Sequence, residues 1–241
     1  MTLASKASFC TFNLPLKEAS GDALDAVGSL DLAESGGTVG SGTGLFYPTA
    51  RDFEADDTEV FTRSDNAVFN PSGTFMFRVW LNFETDPSGT VILFEKFTNL
   101  SNLEYGLWYE GSNNRFRWYV SANGTSNTSA YYSFTPTTST WYCVHCWHDA
   151  DSDEIGISVD AGTASTAAHS TGVIDGTGAF GVGARVNTGF GFDGLMQDLV
   201  LLDGTFLDST ERTADVNSGA GVPFTKWNAS RPTLTLTGAG R

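Results

Sequence analysis

The chain has 241 residues, 40% of them hydrophobic and 18 of them Phe, which is too apolar for a disordered segment and long enough to close a full core. Thirteen basic side chains against 28 acidic ones leave a net charge of −15, which repels phosphate backbones and argues against a general nucleic-acid binder. Gly is plentiful (27) and Pro scarce (7), the balance of an ordered domain with many tight turns.

Met1 to Leu16 is interrupted by Ser8, Thr11, Asn13 and Pro15, so it lacks the continuous apolar centre of a secretory signal. No apolar run reaches the ~18 residues of a membrane helix, and the expectation is a chain with neither leader nor membrane partner. Thr74 to Phe83 gives the clearest element. Phe75, Phe77, Val79, Leu81 and Phe83 alternate with Met76, Arg78, Trp80 and Asn82, a period of two that turns the first set toward a core. Val91 to Lys96 follows the turn at Asp86-Pro87-Ser88-Gly89. Tyr105 to Glu110 and Arg115 to Ser121 read as a hairpin around Gly111 to Asn114, with Phe116, Trp118 and Val120 on one face and Arg115, Arg117 and Tyr119 on the other.

Ser121 to Ser133 is polar and rich in Asn, Ser and Thr, and reads as a long surface loop. Trp141 to His148 and Ile155 to Asp160 form a second hairpin across an acidic tip. His169 falls in a Ser/Thr/Ala-rich loop and is expected to be solvated. Ala179 to Gly183 and Leu195 to Leu202 complete the visible strands. Asp208-Ser209-Thr210-Glu211 is the one good helix start, because Asp208 caps the first turn while Glu211 reaches back to the cap amide. Many strands with one late helix predict an all-β, two-sheet antiparallel sandwich over residues 1–222, followed by an extended C-terminal arm over 223–241.

The order of these motifs resembles the laminin-G-like, concanavalin A-like lectin-glucanase jelly-roll family. Leu14 to Gly21 and Asp25 to Leu32 look like its opening strand and turn, Thr74 to Leu81 like its first long core strand, and Trp141 to Val144 like its "tWyhv" strand. Ile155 to Gly162 looks like its "lslyvDG" strand, and Phe192 to Val200 like the segment before the late helix. The resemblance implies the jelly roll, and it leaves function open because that fold carries lectins, adhesins, glycanases and structural proteins.

Candidate chemistry is sparse. A glycanase of this fold would set paired carboxylates at alternating strand positions. Neither Glu54 to Glu59 nor Asp149 to Glu154 has that setting, so no catalytic residue is assigned and the chain is read as a non-enzyme. Cys143, His145, Cys146 and His148 invite zinc, but along a strand Cys143 and His145 face away from Cys146 and His148, so one ion cannot collect all four. Three cysteines form no disulfide framework and are read as reduced thiols. Calcium suits the acidic residues best, though none is required. The resemblance implies a rim site in which Asp198 is a ligand and Asp25 its partner. For sugars, the candidate aromatic plates are Trp80, Trp108, Tyr119, Tyr131 and Tyr132, of which Trp80 and Tyr119 lie opposite apolar stripes.

Two functions remain. One is a structural or adhesion protein on a particle surface, a phage virion protein of capsid-decoration or fibre type, partnered by copies of itself and other virion proteins. The other is a soluble, calcium-dependent carbohydrate-binding module, extracellular by a route without a signal peptide, that binds cell-surface glycans.

Overall fold

Alternation along the strands builds the architecture. In a computed structural model, which describes residues 2–55, 59–99, 102–186 and 189–230, two antiparallel sheets lie face to face. The first holds β1 (Cys10–Leu14), β3 (Gly40–Thr43), β4 (Thr49–Phe53), β6 (Phe75–Phe83), β11 (Trp141–Asp149), β12 (Glu154–Val159), β13 (Ser165–Ala168) and β15 (Gly194–Asp203). Its order is β13-β12-β11-β6-β15-β4-β3, with β1 on the free half of β15. The second holds β2 (Ala33–Ser35), β5 (Val60–Arg63), β7 (Thr90–Phe97), β8 (Leu103–Glu110), β9 (Arg115–Val120), β10 (Thr128–Ser133) and β14 (Ala179–Val182). Its order is β10-β9-β8-β7-β14-β5-β2. This is the two-sheet jelly roll that the alternation and the motif order predict. The sequence reading missed β10, which forms the second half of the polar stretch taken for a loop.

Phe75, Phe77, Val79, Leu81 and Phe83 point between the sheets and meet Phe94, Tyr105, Leu107, Tyr109, Phe116, Trp118 and Phe180. The rings interlock, with Phe77 4.7 Å from Phe94 and 5.2 Å from Tyr105, and Phe69 stacked 4.6 Å from Phe180. Removing one such ring costs about 3–5 kcal/mol. The hairpin between β8 and β9 closes tightly. Asn114 takes a left-handed φ of 47°, and a Cβ on Gly111 would lie 1.6 Å from the Pro87 carbonyl oxygen.

All nine residues of β6 are buried, including the set opposite the core. The outer face of its sheet is covered by a short helix α1 (Leu3–Lys6), by α2 (Ser209–Val216) and by the 3-10 segment Phe224–Ser230. The capping box on α2 forms as expected: Glu211 N–H donates to Asp208 Oδ1 at 2.9 Å, and Asp208 N–H donates to Glu211 Oε2 at 3.0 Å. The expected arm is corrected at its start. Phe224–Ser230 is helical, not extended, and fully buries Trp227 against Met76, Val200 and Leu202. The rest of that arm, 231–241, lies outside the described residues.

Candidate functional site

The five expected aromatic plates are mostly spoken for. Trp80 is fully buried under Phe46 and Val216, because the late helix and the 44–46 turn cover its face. Tyr119 is also fully buried, its ring 5.0 Å edge-on from Trp108. Trp108 is half-buried between Arg117 at 4.9 Å and Arg185 at 5.2 Å, and its Nε1–H donates to Glu95 Oε2 at 3.0 Å. Tyr132 is half-buried and faces the core beside Phe134. Only Tyr131 is exposed, at 39%, and Arg115 sits 3.8 Å from its ring centre. The outer face of the seven-stranded sheet thus carries an alternating row of guanidinium groups and rings, with Arg115 and Arg185 paired to Glu110 and Glu95.

The expected calcium pair is corrected too. Asp25 Oδ1 accepts from the Asn13 and Val27 N–H groups, and Oδ2 from those of Gly28 and Leu30, at 3.0–3.2 Å. Asp198 sits in a bulge of β15, with a left-handed φ of 55°, between Gln197 opposite Trp80 and Val200 opposite Arg78. The extra residue turns Asp198 onto the covered face, where it accepts from Arg78 Nη1 at 2.7 Å, Asn13 Nδ2 at 2.9 Å and Phe224 N at 2.7 Å. Both carboxylates are filled by N–H donors and act as struts.

Arg78 continues that network. Its Nε and Nη2 donate to the two oxygens of Asp215 at 3.0 and 2.9 Å, and Nη2 also reaches the Val222 carbonyl. His145 Nε2–H donates to Asp215 Oδ2 at 2.9 Å, and Cys143 Sγ lies 3.7 Å from His145 Nε2. As the alternation requires, Cys143 and His145 share this outer face while Cys146 joins the core. The cysteine–histidine–aspartate set is closed off from solvent. All three are buried, burial pushes the Cys143 thiol well up, and a fixed guanidinium against Asp215 opposes a metal ion. His169 is buried as well, against the expectation of a solvated loop. Its ring nitrogens meet Thr128 Oγ1 at 2.9 Å and the Gly172 carbonyl at 2.6 Å.

The open end of the eight-stranded sheet's outer face offers a different setting. Register aligns Trp141 of β11, Asn82 of β6, Leu195 of β15 and Asp52 of β4 in one row. Above the row lies a cavity of about 480 Å³ lined by Gly42 to Leu45, Asn82, Glu84, Ser139, Trp141 and Leu195. Gln197 pins one wall: its Oε1 accepts from Leu45 and Phe46 N–H at 2.9 Å, and its Nε2 donates to Thr49 O at 2.7 Å. Trp141 is half-buried at the opposite wall. Asn82 is 7% exposed, and its side-chain amide has no hydrogen-bond partner among the described residues.

Beside this cavity Asp52, Glu54 and Glu84 each bring a carboxylate oxygen within 4.8 Å of the others. Burial and Asp193 push the Asp52 carboxyl above the usual range, and burial followed by Asp52, Glu54 and Asp193 does the same to Glu84. An indole wall, an unspent amide and a carboxylate can together hold a sugar: the ring takes its C–H face, and the polar groups take its hydroxyls. A second hollow beside α2, lined by Ala161, Ser209, Thr210, Thr213 and Ala214, has no ring or charge.

Comparisons with known proteins agree with the fold. The profile of the Concanavalin A-like lectin/glucanases superfamily matches residues 55–211. No curated protein sequence matches the chain. A structure of botulinum neurotoxin type C, whose cell entry depends on two ganglioside molecules, aligns with TM-score 0.69 at 14% identity over 90% of this chain and 53% of its own. Domain 4 of AbnA, an extracellular arabinanase of Geobacillus stearothermophilus, in complex with arabinotriose, aligns with TM-score 0.67 at 14% identity over 85% of this chain and 97% of its own. The binding domain of botulinum neurotoxin DC in complex with rat synaptotagmin II aligns with TM-score 0.65 at 11% identity over 88% of this chain and 52% of its own. The chain therefore spans about half the length of the botulinum chains it matches.

Proposed function

The chain belongs to the concanavalin A-like lectin/glucanase superfamily, and from that premise we propose that it is a non-catalytic carbohydrate-binding domain whose sugar site is the cavity beside Trp141. One observation carries the reading: register sets an indole, an amide with no hydrogen-bond partner among the described residues and a carboxylate around a hollow of about 480 Å³. A monosaccharide or two would fill that space. The solved complex of the AbnA domain with arabinotriose supports the choice of ligand class, and the fold is lectin-like throughout. Glycoside cleavage is not favoured, because an acid and a nucleophile must flank the bond, and of the three clustered carboxylates only Glu84 lines the cavity.

A glycan array probed with the whole chain tests the reading, followed by calorimetry on any hit. Trp141→Ala and Asn82→Ala are expected to lower affinity about tenfold or more, roughly 1.4 kcal/mol, with the melting transition retained. No reducing sugar is expected from the bound glycan. Release of sugar overturns the non-catalytic part. A blank array joined to self-association would instead favour the scaffold expected from sequence, a phage virion protein on a particle surface.

A further inference from the structure

We propose that Lys96 and Asp65 join in a covalent side-chain amide across the seven-stranded sheet, with Glu104 carrying the proton, so that the folded chain staples itself. The staple is independent of sugar binding.

The fold brings the three groups together. Lys96 lies near the end of β7, Glu104 near the start of β8, and Asp65 just past β5, before the 3-10 segment Ala67–Phe69. β14 stands between β7 and β5, and its Phe180 is in register with Lys96 on one side and Arg63 on the other. Lys96 Nζ lies 2.9 Å from Asp65 Oδ1, and 2.6 and 2.7 Å from the two oxygens of Glu104. The Asp65 Cγ is one bond beyond that Oδ1. An amine held so near a carboxyl carbon reacts as if at an effective concentration of ~10⁵–10⁸ M.

The surroundings suit the reaction. Lys96 and Glu104 are fully buried, and so is Tyr105, which stands opposite Lys96 in register. The 176–178 segment lies across the Glu104 carboxylate. Gly178 N–H donates to Glu104 Oε1 at 3.2 Å, the Gly176 carbonyl accepts from Lys96 Nζ at 3.1 Å, and a Cβ on Gly176 would fall 2.6 Å from Glu104 Oε1. Water is thereby kept from the amine. Glu104 already engages Lys96 with both oxygens, so Asp65 is a surplus acid at this one lysine. Its side chain is a third exposed, which gives an expelled water a way out. Burial pushes the Glu104 carboxyl above its usual range, against the pull of Lys96, and so favours its taking up a proton.

The step balances with these groups alone. Lys96 passes a proton to Asp65 Oδ2, which leaves an amine facing a carboxylic acid. Nζ attacks Cγ, and negative charge collects on Oδ1, where Asn70 Nδ2–H donates at 3.3 Å. Glu104 takes the proton that Nζ then sheds and hands it to the departing Oδ2 hydroxyl. The Cγ–Oδ2 bond breaks, one water leaves, the Nζ–Cγ amide remains, and Glu104 ends as it began. No electrons are exchanged with an oxidant, so the staple forms equally well in a chain whose three cysteines are free thiols. It ties β7 to the turn after β5 and holds β14 between them.

The test is intact-mass spectrometry on the whole folded chain, reduced and held overnight at neutral pH. The expected mass lies one water, about 18 Da, below that of the sequence, and digestion should give a branched peptide in which Lys96 is joined to Asp65. Lys96→Arg and Asp65→Ala should both show the full mass. Asp65 is partly exposed, so Asp65→Ala should keep the fold by circular dichroism, while loss of the bond lowers its melting temperature by roughly 5–15 °C. Glu104→Gln leaves both reacting groups in place and should slow the loss of water, timed from refolding, by ~10²–10⁴-fold. Full mass in the folded parent overturns the proposal, as does a loss of water retained by Asp65→Ala, which would put the dehydration elsewhere in the chain. A branch from Lys96 to Glu104, or an unslowed Glu104→Gln, overturns the roles assigned. If Glu104→Gln does not fold, the parent's branched peptide and Asp65→Ala decide.

Discussion

Replacing Arg78 with Met tests whether the buried charge network holds the helical cover onto the eight-stranded sheet. Arg78 is fully buried and spends its N–H groups on the two oxygens of Asp215, on Asp198 Oδ2 and its carbonyl, and on the Val222 carbonyl, at 2.7–3.0 Å. The substitution keeps the stem volume but leaves Asp198 and Asp215 facing each other across an apolar gap. Breaking one partner of a buried pair costs about 3–5 kcal/mol. At ~2–4 °C per kcal/mol for a domain of this size, the melting temperature should fall by roughly 6–20 °C. Urea unfolding at pH 7, followed by circular dichroism and Trp fluorescence, measures it, with a red shift expected as Trp227 loses its place under Val222. Adding Asp215→Leu to Arg78→Met should restore part of the loss, because no buried charge is then stranded at that position. A cost under about 1 kcal/mol for Arg78→Met alone would refute the reasoning, since it would mean that water or movement satisfies both carboxylates without the guanidinium.

Three further outcomes are expected. On acidification stability should fall in two steps. Burial holds His145 and His148 below the ordinary imidazole value; in Asp215 burial pushes upward, but Arg78 and His145 outweigh it and the carboxyl ends below its usual range. Groups depressed in the folded state contribute above their unfolded values, so the first loss begins below pH ~6.5 and the second below ~3.9, read from denaturation midpoints across pH. Asp208→Ala removes the capping box of α2 and should cost about 1 kcal/mol by urea titration, with little effect if the helix is held by packing alone. Gly111→Ala should destabilise far more than a surface change, because its Cβ would fall within 1.6 Å of the Pro87 carbonyl oxygen, and neutral melting would contradict the tight hairpin.

Period and capping made much of this fold readable. The alternation of β6, the β8–β9 hairpin and the Asp208/Glu211 box are local signals, and each stands where the residues placed it. What was not readable depends on distant chain. Trp80 has the right face for an exposed plate, but Val216 and Phe46 cover it, and nothing near Trp80 announces them. Asp198 looks like a strand residue until the bulge turns it onto Arg78. The cavity went unseen for a related reason. Trp141, Asn82, Leu195 and Asp52 become neighbours only through the register of four strands, and no segment of sequence contains more than one of them. Asn82 was visible as an outward polar residue in a buried run, the one signal that could have pointed there.

The helix at Leu3–Lys6 and the turn around Trp227 meet on one back panel, sharing a cluster with Met76 and Leu202. A tether attached next to either would therefore approach the same side of the sandwich. Anchored that way to a bead or sensor chip, the guanidinium-and-ring row on the far sheet would stay turned toward the solution, while the recess by Trp141 would sit closer to the support, where a long spacer decides whether bulky polymers can enter.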